Sequence, residues 1–247
     1  MHDDDAPAGR VLSRREALAA LGAAGVAVLG GGLTVPGPHA AEAARVPQCV
    51  VRPEQTEGPY FVDAKLERSD IRSDPSTGKL SEGVGLDLGF RVMRVGGGEC
   101  RPLPGALVDV WQCDALGVYS DVRDTNARFD TVGQKFLRGR QVSDADGTVR
   151  FVTIYPGWYQ GRTVHIHFKI RTAAESGRAR EFTSQLYFDD AITDAVLRRA
   201  PYATKGPAQV RNAQDGIYRR GGDQLVLVLS PKDDGYAGTF EVGLQLP

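Results

Sequence analysis

One short segment of the chain concentrates side chains that can bind a metal ion. In "GWYQGRTVHIHFKI", residues 157 to 170, His165 and His167 stand two residues apart, and Tyr159 and Arg162 come just before them. Side chains two residues apart on a β-strand point to the same face, with Cα atoms roughly 6–7 Å apart. The two imidazoles can therefore bind one metal ion. The alternative is that both histidines are structural or surface residues.

The histidine content limits the kind of metal site. The chain has four histidines, and His2 and His39 lie in an N-terminal segment that we expect to be removed. Copper or zinc sites built from histidine need at least one more imidazole, which argues against a copper or zinc hydrolase. A two-histidine, one-carboxylate iron site stays open, because carboxylates are plentiful. Tyrosine is another hard oxygen donor, and a phenolate with two imidazoles suits ferric iron.

Two of the eight tyrosines stand out by their context. Tyr119 lies in "VDVWQCDALGVYSD", just past a predicted strand and a glycine turn. Tyr159 lies in "PGWY", shortly before His165. Tyr155 competes with Tyr159 as a ligand, and the P-G-x-Y context favours Tyr159. The other tyrosines read as core or surface residues.

These residues must be positioned by a chain that reads as short strands. Apolar segments broken by Gly, Pro and Asp predict strands, listed here by their residues: 86–95, 106–113, 148–154, 163–170, 183–188, 223–230 and 238–246. Strands at such spacing predict an all-β fold, an antiparallel β-sandwich or barrel. One helix is predicted over 190–199, stopped by Pro201. Residues 53 to 80 read as an irregular N-terminal arm.

The N-terminal residues have the pattern of an export signal. Arg14 and Arg15 precede an apolar, Ala/Gly-rich stretch, and Ala41-Glu42-Ala43 follows as a small-x-small cleavage site. This predicts a twin-arginine signal peptide over residues 1–43 and a mature domain over 44–247, exported to the cell envelope or the medium. A retained transmembrane helix is the alternative, but the stretch is weakly hydrophobic and rich in glycine. We therefore expect no stable membrane span after cleavage.

Composition narrows the possible partners. The 247 residues carry a formal net charge of -1 without a long basic run, which argues against a nucleic-acid partner. The three cysteines allow at most one internal disulfide, for which Cys49 and Cys100 are candidates, and Cys113 can be a buried thiol. Nothing in the pattern decides the oligomeric state, so oligomerisation stays open.

Four sequence blocks together resemble the intradiol ring-cleaving dioxygenases. They occur in the family's order and span roughly residues 50 to 245: "PEQTEGPYF" (53–61), "GALVDVWQCDALGVYSD" (105–121), "RFVTIYPGWYQGRTVHIHFKI" (150–170) and "TSQLYFDD" (183–190). The resemblance implies a non-haem Fe(III) enzyme that inserts both atoms of O2 into a catechol-type diol and releases a muconate-type dicarboxylic acid.

The resemblance also implies a role for each site residue. Tyr119 and His167 would be equatorial ligands of the iron, and Tyr159 and His165 the axial pair. Tyr159 would leave the metal when substrate arrives and take up a substrate proton. Arg162 would stabilise negative charge on the substrate ring, and Gln185 would orient the substrate and the oxygen-derived intermediate.

The identity of the substrate stays open between catechol, protocatechuate and hydroxyquinol. Only residues 160 to 164 separate Tyr159 from His165, where many relatives have a longer insertion, and this predicts a more open pocket. The chain resembles the protocatechuate-type core more than the catechol-type enzymes with their N-terminal helical segment. The competing function is an exported, non-catalytic β-sandwich binding module, which would hold no metal and show no colour.

Overall fold

The strands of this protein form two sheets that enclose an apolar core. A computed structural model describes residues 50–124, 126, 128–172 and 179–246. Its strands are β1 (Gly85–Gly96), β2 (Glu99–Pro102), β3 (Leu107–Trp111), β4 (Arg138–Val142), β5 (Thr148–Ile154), β6 (His165–Arg171), β7 (Glu181–Tyr187), β8 (Ser230–Lys232) and β9 (Gly235–Gln245). The predicted signal peptide, residues 1–43, lies outside the described residues.

The two sheets have different strand orders. One sheet runs β2-β1-β9-β8, with β5 also paired to β1, and the other runs β4-β3-β6-β7. All pairs are antiparallel except β1 with β9, which run parallel. The predicted all-β sandwich is thus confirmed, with one parallel pair inside it. Strands β2 and β4 were not predicted, because "ECRP" and "RGRQV" are short and polar.

Aromatic side chains fill the space between the sheets. Phe90 of β1 packs against Phe151, Phe168 and Phe240, at ring-centroid distances of 5.1 to 6.5 Å. On β6, Ile166, Phe168 and Ile170 are fully buried in this core. Strand β6 therefore turns alternate residues toward the core, and His165 and His167 must point to the opposite face.

The helix forms where the sequence predicts it and is slightly shorter. Helix α1 spans Asp190–Leu197. Its N-cap residue is Asp189, whose carboxylate accepts hydrogen bonds from the amides of Ala191 and Ile192. Such a capping carboxylate satisfies amides that the first turn leaves without partners. The helix turns Val196 and Leu197 into the core.

The strand predicted over 223–230 is largely wrong. Residues Gly222–Leu225 form a 3-10 turn, and only Ser230 at the end of the predicted range belongs to a strand, β8. Leu225 and Leu227 are buried while Val228 is 82% exposed, so the alternation of a strand is present. The segment crosses from the end of β7, where the amide of Leu227 donates to the Tyr187 carbonyl, to the other sheet. It therefore has no continuous strand partner.

The predicted irregular arm lies over the second sheet and joins strands from both sheets. The amide of Gln55 donates to the carbonyl of Thr183, and Ser184 Oγ donates to the carbonyl of Pro53. Further along, single bridges link Glu67 to β4 and Asp70 to β5. The arm is thus held along the edge of β7, which brings residues 56 to 60 over the face of β6 that carries the histidines.

The cysteines and the possible membrane spans complete the description. Cys100 is disulfide-bonded, whereas Cys113 is a free, buried thiol, a point that the sequence left open; Cys49 lies outside the described residues. In the part of the chain that the structure describes, no helix is long and apolar enough to cross a membrane.

Candidate active site

His165 and His167 direct ring nitrogens at the same point. Both side chains are buried, and their Nε2 atoms lie 3.1 Å apart. His165 Nδ1 lies 2.7 Å from the carbonyl oxygen of Thr163, which can only accept, so Nδ1 carries the proton and Nε2 presents a lone pair. A hydrogen bond of this kind on the far nitrogen is how proteins orient metal-binding imidazoles.

The surroundings of His167 hold its ring in place. Trp111, its register partner on β3, stacks on the imidazole at 5.0 Å with an interplanar angle of 9°. Gly58 of the arm covers the ring from another side, since a Cβ built on this glycine would lie 3.1 Å from His167 Cε1. Burial lowers the pKa of both histidines well below its usual value, and positive charge at Arg162 acts in the same direction. Both imidazoles are therefore neutral, as a metal ligand requires.

Tyr119 and Tyr159 complete the group of candidate ligands. Their ring centroids lie 5.7 Å apart, and Tyr159 Oη lies 3.5 Å from His165 Nε2. Tyr119 lies 6.2 Å from His167 between ring centroids, and its buried hydroxyl has no hydrogen-bond partner among the described residues. An unsatisfied buried hydroxyl costs about 1–3 kcal/mol. A metal ion bound to this oxygen would remove that cost.

The described residues do not support the alternative of a two-histidine, one-carboxylate iron site. No group of three His, Cys, Asp or Glu side chains there lies close enough together to hold a metal. A metal ion on the two imidazoles would therefore take its other protein ligands from the phenols. Burial raises the pKa of Tyr159 to about 12 and that of Tyr119 well above its usual value. A strongly Lewis-acidic cation is needed to ionise them, which fits ferric iron.

Arg162 and Gln185 lie beside the candidate ligands. Arg162 Nη1 lies 3.5 Å from Tyr159 Oη and 3.4 Å from His165 Nε2. Its Nη2 donates to Gln185 Oε1 at 2.7 Å, and Gln185 Nε2 donates to the carbonyl of Thr56 at 2.8 Å. The structure therefore brings together all six residues predicted from the sequence. Neither Arg162 nor Gln185 is a surface residue.

Several residues of the site were missed by the sequence analysis. Tyr60 stacks on Tyr119 at 4.5 Å, and its hydroxyl donates to Asp124 Oδ1 at 2.6 Å. Asp215 accepts a hydrogen bond from Arg162 Nε at 2.8 Å. Tyr60 could have been predicted from the sequence, because it lies in the quoted "PEQTEGPYF" block. No sequence pattern indicated Asp215, because it is far from the other site residues in the sequence.

A lysine joins the two loops that carry the tyrosines. Lys205 Nζ donates to the carbonyl of Leu116 at 2.5 Å and to that of Trp158 at 2.6 Å, and it lies 4.4 Å from the Trp158 ring centroid. Leu116 precedes Tyr119, and Trp158 precedes Tyr159. One ammonium group thus adds to the direct hydrogen bond between the two loops, from the Gly157 amide to the Asp114 carbonyl at 3.0 Å.

Known proteins are similar to this chain in both sequence and fold. A family model described as "Dioxygenase" matches residues 56–214. The protocatechuate 3,4-dioxygenase beta chain of Burkholderia cepacia is 38% identical over 126 residues, which are 47% of this chain and 50% of that protein. The solved intradiol ring-cleavage dioxygenase of Tetranychus urticae is 30% identical with a TM-score of 0.69, over 80% of this chain and 95% of that one.

A second solved structure comes from a bacterium. The dioxygenase domain of a dioxygenase carbohydrate-binding protein fusion from Streptomyces sp. SirexAA-E is 29% identical with a TM-score of 0.56, over 80% of this chain and all (100%) of that domain. This chain belongs to the intradiol ring-cleavage dioxygenase family. It spans about half the length of the curated relatives that it matches.

Proposed function

We propose that this protein is a non-haem Fe(III) dioxygenase that cleaves a catechol-type aromatic diol between its two hydroxyl-bearing carbons. The observation that carries the proposal is the meeting of two neutral imidazole nitrogens, 3.1 Å apart, with two buried phenols and one guanidinium. His165, His167, Tyr119 and Tyr159 would hold the iron. When bound, ferric iron would withdraw electron density from the diol and make the ring reactive toward O2.

The chain's own residues account for the remaining requirements. Once a bound metal ion has ionised it, the Tyr159 phenolate could accept a proton from a substrate hydroxyl, so the site needs no further histidine as a base. Arg162 places a positive charge 3.4 to 3.5 Å from two of the ligand atoms, where it can stabilise negative charge on the bound diol. Gln185, held by Thr56, keeps Arg162 in that direction and lines the same space.

The substrate class rests on the names of the relatives. Curated relatives are a protocatechuate 3,4-dioxygenase, a catechol 1,2-dioxygenase and chlorocatechol 1,2-dioxygenases. Their named substrates share an aromatic ring with adjacent hydroxyl groups. We propose that class, and O2, as the small-molecule partners of this protein.

The test is a visible spectrum of the iron-loaded protein, recorded before and after anaerobic addition of catechol. The proposal expects a tyrosinate-to-iron charge-transfer band that moves to longer wavelength when catechol binds. Labelled O2 should then place both oxygen atoms in a dicarboxylic acid product. A protein that stays colourless after loading with iron would contradict the proposal.

We also propose export of the protein by the twin-arginine route. The support is the pair Arg14 and Arg15 before an apolar stretch and the small residues Ala41 and Ala43 at a cleavage position. Replacing both arginines by lysine should retain the full-length chain in the cytoplasm, as detected by cell fractionation and mass spectrometry. Equal export of both forms would contradict this route.

A further inference from the structure

Asp215 makes an unusual number of contacts for a residue outside the ligand group. Its side chain is fully buried. Oδ2 accepts hydrogen bonds from Arg162 Nε at 2.8 Å and from the Thr163 amide at 2.9 Å. Oδ1 accepts from the amides of Ile217 and Tyr218 at 2.8 and 2.9 Å. One carboxylate therefore joins its own loop to the turn that precedes β6.

These contacts determine the direction of the Arg162 guanidinium. Asp215 holds Nε, Gln185 holds Nη2, and the remaining Nη1 points at Tyr159 Oη and His165 Nε2. A guanidinium is planar, so two fixed donor positions leave the third no freedom of direction. The side chain of Arg162 is only 14% exposed, which leaves little space for another orientation.

The same carboxylate also acts on the peptide that orients His165. Thr163 donates its amide hydrogen to Asp215, and its carbonyl accepts from His165 Nδ1. Thr163 Oγ1 adds a hydrogen bond to Asn212 Oδ1 at 2.8 Å, from the same loop as Asp215. Burial acts to raise the pKa of Asp215, but hydrogen bonds from Tyr218, Arg162 and Thr163 outweigh it, so the carboxylate stays ionised.

From this geometry we infer that Asp215 is a positioning residue of the reaction: it holds Arg162 pointing at the bound diol, and without it the guanidinium loses its effect on the reacting ring. This inference rests on the proposed function, since it deepens the role of Arg162. Asp215 contacts none of the four candidate ligands directly; it acts mainly through Arg162 and, by way of the Thr163 amide, on the peptide that orients His165.

The first variant for the test is Asp215→Asn, which keeps the shape of the side chain and removes its charge. The variant should still bind iron and show the tyrosinate charge-transfer band, because all four ligands are unchanged. We expect kcat/KM for catechol to fall about 10- to 100-fold, as is typical for the loss of a buried orienting partner. Wild-type turnover in this variant would overturn the inference.

A double-mutant cycle separates positioning from a general structural effect. In an Arg162→Met background, Asp215→Asn should cost much less activity than in the wild type, since only the contact with the Thr163 amide is left to lose. A further loss as large as in the wild-type background would overturn the inference. Asp194→Asn is the matched control, because it breaks another carboxylate–arginine pair, with Arg211, at 2.7 Å in the same region. That control should keep wild-type kcat/KM.

Two further measurements keep the inference falsifiable if Asp215→Asn folds poorly or if the proposed function fails. Arg162→Lys keeps the charge but lacks the Nε–H that Asp215 accepts, so its activity should fall nearly as far as that of Arg162→Met. Full activity would show that charge alone suffices. In metal-free protein, the Arg162 Nε–H signal in NMR should be protected from exchange with water. An unprotected signal would overturn the inference whatever the enzyme does, whereas a colourless wild type with a protected signal would overturn only the proposed function.

Discussion

At the scale of single residues, burial determines the protonation state of the site. The imidazoles of His165 and His167 stay neutral and the phenols of Tyr119 and Tyr159 stay protonated, because each charged form would lose its hydration. Under the proposed function, the bound iron would supply the positive charge that the site lacks. Binding of such a cation would release the phenol protons.

A methyl group at Gly58 should disturb this arrangement. Gly58→Ala places a Cβ 3.1 Å from His167 Cε1, at a backbone φ of 73° that side chains rarely adopt. Gly78→Ala is the matched control, with a φ of 72° and no atom within 4 Å of the new Cβ. Both variants should lose about 1–2 kcal/mol of stability from backbone strain. Only Gly58→Ala should also release iron to a chelator about tenfold faster, and equal rates would contradict the role of this contact.

At the scale of elements, one strand and two loops meet at the candidate active site. Strand β6 carries both histidines, and the loops after β3 and β5 carry Tyr119 and Tyr159. The loops have no strand partners to set their distance. A hydrogen bond from the Gly157 amide to the Asp114 carbonyl joins them directly. Lys205 adds a second link by donating to one carbonyl in each loop.

Removing this link should loosen both loops. Lys205→Met leaves the carbonyls of Leu116 and Trp158 without the ammonium, and we expect the free energy of unfolding to fall by about 1–3 kcal/mol. The charge-transfer band should also broaden as the phenols become less well fixed. Lys232→Met is the control, because among the described residues the Lys232 side chain forms only an exposed ion pair with Asp87, whose loss should cost much less. Urea unfolding measures the stability of both variants. Equal losses in the two variants would contradict the role of Lys205 in joining the loops.

At the scale of the whole molecule, buried carboxylates connect the site to distant parts of the chain. Asp124 joins Tyr60 of the arm to Arg128 of the loop after Tyr119. Burial acts to raise its pKa, but hydrogen bonds from Arg128 and Tyr60 outweigh this and lower the pKa from 3.8 to about 2. The carboxylate therefore stabilises the fold only when it is ionised.

The lowered pKa of Asp124 predicts how the stability of the fold changes as the pH falls. Because the folded pKa of Asp124 is lowered, its contribution is complete above its ordinary value of 3.8 and is lost as pH falls toward about 2. Asp124→Asn should lose stability near neutral pH and then lose less than the wild type on acidification from about pH 5 to about pH 2. Urea midpoints at several pH values test this. Parallel curves for the two proteins would show that Asp124 does not contribute as described.

The sequence by itself determined those features that local spacing encodes. Alternation of period two placed His165 and His167 on one face of β6, and the same alternation predicted most strands of the sandwich. The types of donor, two imidazoles and two phenols, were readable because ligand chemistry depends on residue type. The resemblance to known dioxygenases linked Tyr119 and Gln185 to the same site, although both are distant from the histidines in the sequence, and implied a role for Arg162.

Only the tertiary structure decided which residues support that site. Asp215 meets Arg162, Gly58 meets His167, and Lys205 joins two loops, each across a long stretch of chain. Such contacts have no local period, because they depend on how the loops and the arm fold back over β6. For the same reason residues 223–230, which alternate like a strand, cross between the two sheets instead, since their hydrogen bonds depend on partners that the local pattern does not contain.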